Sequence, residues 1–209
     1  MRYDNGHKRE TRIRILKTAA DAVRADGPDR IGVAAVMRQA GMTHGGFYAH
    51  FNSKDALVEA SIEHMFDEAL ARAQKRMEGR TPAEGLAAYV DAYLSTAHCE
   101  ARAHGCPLVA LASDLPRQSD ACRQAYAAGL RRLVQALAGR LADAGYPEPE
   151  PLARSVLAEL VGAVSLARCE TDAQRANAML ADARRLLKAR LGLCLLYTSD
   201  AADDLLCVD

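Results

Sequence analysis

One short segment constrains this 209-residue chain more than any other: residues 42–54, Met-Thr-His-Gly-Gly-Phe-Tyr-Ala-His-Phe-Asn-Ser-Lys. Gly41 is suited to end a preceding helix, and the Thr43 hydroxyl is suited to cap the next one. Phe47 and Phe51 are four residues apart, so they share one helical face, which we expect to be buried. The segment therefore predicts a short helix with one core face and one exposed face.

The residues just upstream predict a partner helix for this segment. Val33, Val36, Met37 and Ala40 recur at helical spacing, and the apolar stripe ends at Gly41. A helix, a turn containing Gly and a second helix are the elements of a helix-turn-helix. The pattern thus predicts a motif that presents its second helix to DNA.

In its details this region resembles the TetR/AcrR family of bacterial transcriptional regulators. The strongest part of the resemblance is the Tyr-x-His-Phe-x-x-Lys pattern formed by Tyr48, His50, Phe51 and Lys54. The rest of the chain resembles the family only in its helical layout. Val33 departs from the family pattern, which often has a hydroxyl residue there that caps the helix and touches phosphate.

Seven residues of the segment are candidates for DNA contact. We expect Tyr48 and Lys54 to hold phosphates, and His44 and Gly45 to approach base edges. The absence of side chains at Gly45 and Gly46 either lets the backbone approach the groove floor or permits close packing on the first helix. The full set is Thr43, His44, Gly45, Gly46, Tyr48, His50 and Lys54.

Composition favours helices and locates the positive charge. Seven Tyr, three Phe and no Trp leave a chain dominated by Ala and Leu, which favours an all-α fold. Residues 1–54 carry ten Lys and Arg against five Asp and Glu, although the whole chain has zero net charge. Lys8, Arg9 and Arg12 either approach the DNA backbone or form an ordinary solvated face.

Helix signals divide the chain into about nine helices. Residues 1–7 are predicted to be a loose arm, and Gly27-Pro28 to stop the first helix. Ser53 and Thr81 are predicted to cap the long helix and the one after it, with Pro82 at the first helical position. The expected helices begin near Lys8, Ile31, Thr43, Ser53, Thr81, Pro107, Gln118, Pro151 and Thr171.

The expected organisation is a helix-turn-helix DNA-binding domain over residues 1–52 and a helical effector-binding and dimerisation domain over residues 53–191. Residues 192–209 are predicted to be a non-native tail. From Leu193 onward the chain has four Asp, two Cys and no Lys or Arg, and it looks like translated sequencing-adaptor read-through.

By resemblance, the last two helices would pair with those of a second copy to form a four-helix dimer interface. Leu160 and Leu187 are the expected interface positions, and Gly162 is expected to permit a close approach. The alternative is that these apolar stripes serve only the core of one chain.

The resemblance also implies an effector region in the second domain. Cys106 precedes Pro107 at a predicted helix start, with Arg102 and His104 close in sequence, which favours a reactive thiolate. A small buried apolar residue is the alternative for Cys106, and core packing is the alternative for the rest. The candidates for effector binding or sensing are Cys106, Met65, Phe66, Tyr89, Tyr93, Leu108 and Tyr126.

Together with the resemblance, these patterns predict a cytoplasmic, homodimeric repressor that leaves an inverted-repeat operator when a small molecule or electrophile binds. The alternative is a constitutive DNA-binding protein without an effector. An enzyme is not expected, because the chain has no Gly-x-Ser-x-Gly, P-loop, GxGxxG or HExxH motif. The six Cys show no metal-ligand spacing, and no cofactor or membrane partner is expected.

Overall fold

The computed structural model describes residues 2–193, with side chains from Gly6 onward. The predicted all-α fold is confirmed, and no strand occurs within those residues. Residues 194–209 of the predicted non-native tail lie outside the described part. The α-helices are α1 (Arg2–Asp26), α2 (Val33–Gln39), α3 (Lys54–Met77), α4 (Pro82–Tyr93), α5 (Thr96–Glu100), α6 (Pro107–Leu111), α7 (Asp120–Asp143), α8 (Pro149–Cys169) and α9 (Ala173–Arg190).

Three short 3₁₀ helices complete the described elements: His44–Ala49, Arg102–His104 and Leu115–Arg117. The chain forms two compact units. One holds the residues up to 71 together with Ala101–Leu133, and the other holds Arg72–Glu100 together with the residues from 134 on. None of the helices in the described part is long and apolar enough to cross a membrane.

The first helix begins earlier than predicted. Residues 1–7 were expected to be an arm, but α1 already begins at Arg2 and runs to Asp26. One Gly in a helix costs about 1 kcal/mol, so Gly6 alone does not stop a helix that is continued by good helix formers. The predicted stop at Gly27-Pro28 is correct, and the Gly27 amide donates to the Val23 carbonyl at 3.0 Å.

The turn after α2 is a Schellman motif closed by Gly41. Gly41 has φ +74°, which side chains disfavour, so glycine is the suitable residue there. The Gly41 amide donates to the Arg38 carbonyl at 3.0 Å, and the Met42 amide donates to the Met37 carbonyl at 2.8 Å. At the other end, Gly32 precedes α2 without a side-chain cap, as the departure at Val33 suggested.

Two predicted helix caps are confirmed by their hydrogen bonds. Ser53 Oγ accepts from the Ala56 amide at 3.0 Å at the start of α3. Thr81 Oγ1 accepts from the Glu84 amide at 3.4 Å, and Glu84 Oε2 accepts from the Thr81 amide at 3.0 Å. These two bonds form a capping box. The Thr81 hydroxyl also donates to Glu84 Oε2 at 2.8 Å, and this bond, followed by that from the Thr81 amide, lowers the pKa of the Glu84 carboxyl.

The core of the first unit lies between α1, α2, α3 and α7. Apolar residues of α1 pack against α2, and α2 packs against the 3₁₀ helix His44–Ala49. The largest fully buried side chains of this unit include Ile15, Met37, Phe47, Leu57, Ile62, Met65, Phe66 and Leu111. This packing supports residues 43–51, of which Phe47 and Phe51 are buried.

The second unit is built around the α8–α9 pair, which also receives α4. Lys188 of α9 pairs with Asp91 of α4 at 3.0 Å, and Arg190 pairs with Glu159 of α8 at 2.6 Å. The Tyr146 hydroxyl donates to the carbonyl of Leu191 at the end of α9. Its core includes Leu86, Leu94, Leu141, Leu160, Val164 and Leu187.

The expected interface positions on α8 and α9 need correction. Leu160 and Leu187 are both 0% exposed, so they belong to the core of the chain itself. The large apolar side chains that these helices expose are instead Leu166 and Leu186, at 62% and 54%. A Cβ at Gly162 would meet nothing within 4 Å among the described residues, so Gly162 makes no close approach inside the chain.

Candidate nucleic-acid interface

The predicted recognition helix is a 3₁₀ helix, His44–Ala49, rather than an α-helix. Its buried side is formed as predicted, because Phe47 and Phe51 are 1% and 4% exposed and their ring centroids lie 5.8 Å apart. Two consecutive glycines weaken an α-helix, and so short an element has few bonds to offset them. The recognition segment, residues 43–51, is therefore held mainly by its two phenylalanines.

The predicted capping role of Thr43 is wrong. Thr43 has extended backbone angles, as a cap should, but its hydroxyl accepts no hydrogen bond from the helix. The Gly46 amide instead donates to the Thr43 carbonyl at 3.1 Å. The Gly46 amide thus has a backbone acceptor in this i→i+3 turn and needs no side-chain cap. The Thr43 residue is exposed.

The outward side of the recognition segment carries an exposed aromatic residue. Tyr48 is 68% exposed and makes only edge contact with the Phe47 ring, with centroids 5.2 Å apart. His44 and Gly45 are exposed beside it. A Cβ on Gly45 would meet nothing within 4 Å in the described residues, whereas one on Gly46 would lie 3.8 Å from Met37 Cε. Packing inside the chain therefore does not require glycine at position 45.

Positive charge from α1 borders the recognition segment. The Arg12 guanidinium lies over the Phe51 ring, 4.8 Å from its centroid. Burial, followed by the positive charges of Lys8 and Arg12, lowers the pKa of His50. The His50 Nδ1 atom is buried and has no hydrogen-bond partner in the described part of the chain. This side of the segment favours anions over cations.

Lys54 is held at the start of α3 by a bond to the loop between α1 and α2. Its Nζ donates to the Asp29 carbonyl at 2.8 Å. An ammonium group has three donors, so one such bond fixes its position without using its capacity for a phosphate. The role of each predicted DNA-contact residue stays a prediction.

Five of the effector candidates lie in the first unit, where they are packed against other side chains or buried. Phe66 and Tyr126 pack edge to face with centroids 5.4 Å apart, and a Cβ on Gly129 would clash with the Phe66 ring. Burial, with a smaller contribution from Cys106, raises the pKa of Tyr126 to about 12. The other three, all buried, are Met65, Cys106 and Leu108.

The other two effector candidates, Tyr89 and Tyr93, lie in the second unit. Their ring centroids are 5.8 Å apart, and the Tyr93 ring lies 4.6 Å from that of His98. His98 Nδ1 lies 2.7 Å from the Tyr93 carbonyl, and burial lowers the pKa of His98. The seven candidates therefore divide into a group of five and a group of two.

Cys106 occupies the predicted position before Pro107, but its surroundings differ from the expected ones. It is 6% exposed, and the helix that it precedes has only five residues, so few peptide dipoles are aligned on the thiol. His104 points its Nδ1 at Asp21 Oδ1, 3.1 Å away. Among the other described cysteines, Cys99 and Cys122 are buried and Cys169 is exposed.

Two arginines that the sequence analysis did not single out join separate helices through their side chains. Arg24 of α1 is buried and pairs with Glu68 of α3. Arg168 of α8 donates from Nε to the Cys99 carbonyl at 2.9 Å, at the end of α5. The only sequence signal for Arg24 is that it lies four residues after the apolar position Ala20, on the buried face of α1.

An exposed recognition segment on a buried helix-turn-helix support defines a DNA-binding regulator. Residues 15–61 match the model for bacterial regulatory proteins of the tetR family, and residues 82–184 match that for the C-terminal domain of LmrA/YxaF-like transcriptional regulators. The chain belongs to the TetR/AcrR family, and these relatives are transcriptional regulators rather than enzymes.

Two curated relatives match a shorter part of the chain. An uncharacterised HTH-type regulator of Bacillus subtilis strain 168, YvdT, is 30% identical over 66 residues, which are 32% of this chain and 34% of YvdT. A probable HTH-type regulator of Pseudomonas putida, ArpR, is 36% identical over 75 residues, or 35% of this chain and 36% of ArpR. The match thus spans only about a third of each relative's length.

Solved structures share the fold over most of their length. The reduced form of E. coli NemR has a TM-score of 0.76 at 22% identity, with 86% of this chain and 97% of NemR covered. A TetR regulator from Chloroflexus aurantiacus has a TM-score of 0.75 at 23% identity, with 92% and 97% covered.

Proposed function

We propose that this regulator is a homodimeric repressor that leaves an inverted-repeat operator when a small molecule or electrophile binds. The proposal of DNA binding rests on the division of the recognition segment into a buried and an exposed side. Its two phenylalanines are buried while Tyr48 is 68% exposed, next to basic residues of α1. The alternative is constitutive DNA binding, in which no effector changes operator affinity.

In the proposed complex the exposed side of the recognition segment enters the major groove. Tyr48 and Lys54 hold phosphates, and His44 approaches base edges beside the open backbone of Gly45. Thr43, Gly46 and His50 complete the contact surface. Residues 1–52 form the DNA-binding domain, and residues 53–191 form the effector-binding and dimerisation domain.

Dimerisation is proposed through the outer faces of α8 and α9. Leu166 and Leu186 are the large apolar side chains exposed there, and Gly162, four residues before Leu166, leaves open space on α8. A twofold dimer uses the same surface on both copies, and the two recognition segments then face two half-sites related by inversion. This supports an inverted-repeat operator.

The effector is proposed to act on residues 53–191. Cys106 is the proposed sensing residue if the effector is an electrophile or oxidant. The solved structure of E. coli NemR is that of its reduced form. The burial of Cys106 favours small reagents over bulky ones. Release would then occur in the cytoplasm, where the bacterial chromosome lies.

The DNA-binding proposal is tested by selecting duplexes from a random library with the full chain. We expect an inverted repeat whose binding weakens as salt rises. Tyr48→Phe and Lys54→Ala should weaken binding to all duplexes, and Lys54→Ala should reduce the salt slope by about 1. His44→Ala should change the preferred sequence. Lys75→Ala, an exposed lysine of α3, is the control that should bind as the parent does.

The effector proposal is tested by measuring operator affinity before and after N-ethylmaleimide treatment. Cys194 and Cys207, in the predicted non-native tail, are replaced by Ser in all proteins. The remaining thiols are then Cys99, Cys106, Cys122 and Cys169. We expect the parent and the control Cys169→Ser to lose affinity and Cys106→Ser to keep it. Equal loss in all three proteins, or none in any, would exclude Cys106 and favour a non-covalent effector or none.

A further inference from the structure

A single buried side chain joins three segments of the first unit. Arg24 lies in the last turn of α1, and its side chain is 1% exposed. Its Nη2 donates to Glu68 Oε2 of α3 at 2.5 Å. Its Nη1 donates to Asp21 Oδ1 at 3.3 Å and to the Ala103 carbonyl at 3.4 Å, in the 3₁₀ turn Arg102–His104. The end of α1 is thus bound both to α3 and to this turn.

The same turn is bound to α1 a second time. Asp21 Oδ1, which accepts from Arg24, also lies 3.1 Å from Nδ1 of His104. Further along, Gln118 Nε2 donates to Asp29 Oδ1 in the loop between α1 and α2, at 2.9 Å. The segment from 101 to 118 is therefore attached to the helix-turn-helix near both of its ends.

The chemistry of a guanidinium makes the first attachment sensitive to position. Arg24 can bind Glu68 and Ala103 together because its nitrogens form a rigid planar fork. Its Nε is already buried without a partner in the described residues, and a side chain that is 1% exposed is shielded from bulk solvent. If the turn moves, a donor of a buried charge loses its acceptor, which is unfavourable. The turn and the end of α1 are expected to move together or not at all.

We propose that Arg24 is the positioning residue that couples segment 101–111, which contains Cys106 and α6, to the DNA-binding helices. The proposal rests on the proposed function, because it specifies how an effector acting on this segment would reach the recognition segment. Coupling between two sites is reciprocal. Operator DNA must therefore stabilise segment 101–111, so the coupling is measurable without knowledge of the effector.

The experiment measures amide hydrogen exchange of peptides covering residues 101–111, with and without the duplex selected from the random library. Arg24→Lys keeps the charge but has one nitrogen in place of the fork. Arg132→Lys is the matched control, since Arg132 also pairs with α3, at 2.7 Å from Asp67, but is 47% exposed and lies in α7, outside this segment. In the parent and in Arg132→Lys we expect bound duplex to slow exchange by about fivefold or more, and in Arg24→Lys by less than about twofold.

A second variant keeps the test decisive if Arg24→Lys does not fold. His104→Ala removes a side chain that is 67% exposed, so it is compatible with folding, and it breaks the other attachment of the turn. We expect it to reduce the effect of the duplex on exchange. Parental slowing in the folded Arg24→Lys, or in His104→Ala where Arg24→Lys is unfolded, would overturn the proposal.

The parent itself separates this proposal from the proposed function. If the duplex binds but leaves exchange of residues 101–111 unchanged, the coupling through Arg24 is refuted while DNA binding stands. If no duplex is selected or bound at all, the proposed function fails instead.

Discussion

The recognition segment and the α8–α9 pair both expose apolar side chains, but they are supported in different ways. The segment contains a six-residue 3₁₀ helix without a side-chain cap and is held by two buried phenylalanines. The α8–α9 pair has 21 and 18 residues, and Asp172 caps α9 by accepting from the amides of Gln174 and Arg175 at 2.8 and 3.0 Å. The segment depends on a few tertiary contacts, whereas the pair combines local and tertiary stabilisation.

In both regions, the residues that support the element are buried, and the residues available to a partner are exposed. On α8, Leu160 is completely buried while Leu166, less than two turns later, is 62% exposed. On the recognition segment, Phe47 is buried while its neighbour Tyr48 is exposed. In each region one residue holds the element and another is available to a partner, so substitutions should separate folding from binding.

The largest effect is expected from a charge at Leu160 of α8, and Leu166 of the same helix is its exposed counterpart. Leu160→Asp places an unpaired carboxylate in the core and should prevent stable folding of the second unit, as seen in thermal melting by circular dichroism. Leu166→Asp should change the melting of the monomeric chain little, yet give a monomer by sedimentation and weaken operator binding. A dimeric Leu166→Asp protein would place the interface elsewhere.

The next effect concerns the support of the recognition segment. Phe47→Ala removes a fully buried ring and should destabilise the first unit by about 3–5 kcal/mol, with loss of operator binding. Tyr48→Phe changes only an exposed hydroxyl, so denaturant unfolding should match the parent while operator affinity falls. Equal destabilisation of the two variants in urea titrations would contradict the assigned division between support and contact.

A smaller effect should distinguish the two helix starts. Asp172→Ala removes a side chain that accepts two amide hydrogen bonds and should cost about 0.5–2 kcal/mol of stability. Thr43→Ala should cost almost nothing, because the Thr43 hydroxyl caps no amide. Urea unfolding of both variants tests this, and a loss at Thr43 as large as that at Asp172 would show that its hydroxyl does cap the segment.

The smallest effect is the pH dependence that His50 gives to the recognition end, whereas α8 and α9 themselves contain no histidine. The pKa of His50 is lowered in the folded chain, so the unfolded chain binds more protons near neutral pH. The contribution is complete above the unfolded value of 6.5 and is lost as the pH falls toward the folded pKa. His50→Gln should show a smaller loss of stability than the parent between about pH 7 and 5; identical profiles would exclude His50 as the source.

Local sequence signals determined where most helices begin and end. Gly41 closes α2, Ser53 and Thr81 cap α3 and α4, and Pro107 opens α6, because caps and breakers act on hydrogen bonds within four or five residues. The spacing of Phe47 and Phe51 likewise placed them on one buried face. These features depend on neighbours in the chain, so the sequence alone determined them.

Tertiary packing decided the features that depend on residues distant in sequence. The burial of Arg24 requires Glu68 and Ala103, and the burial of Cys106 requires the packing of the first unit around it. An apolar stripe on α8 did not reveal that Leu160 faces the core and Leu166 faces solvent. Helical periodicity specifies which residues share a face, but only the surrounding helices determine which face is covered.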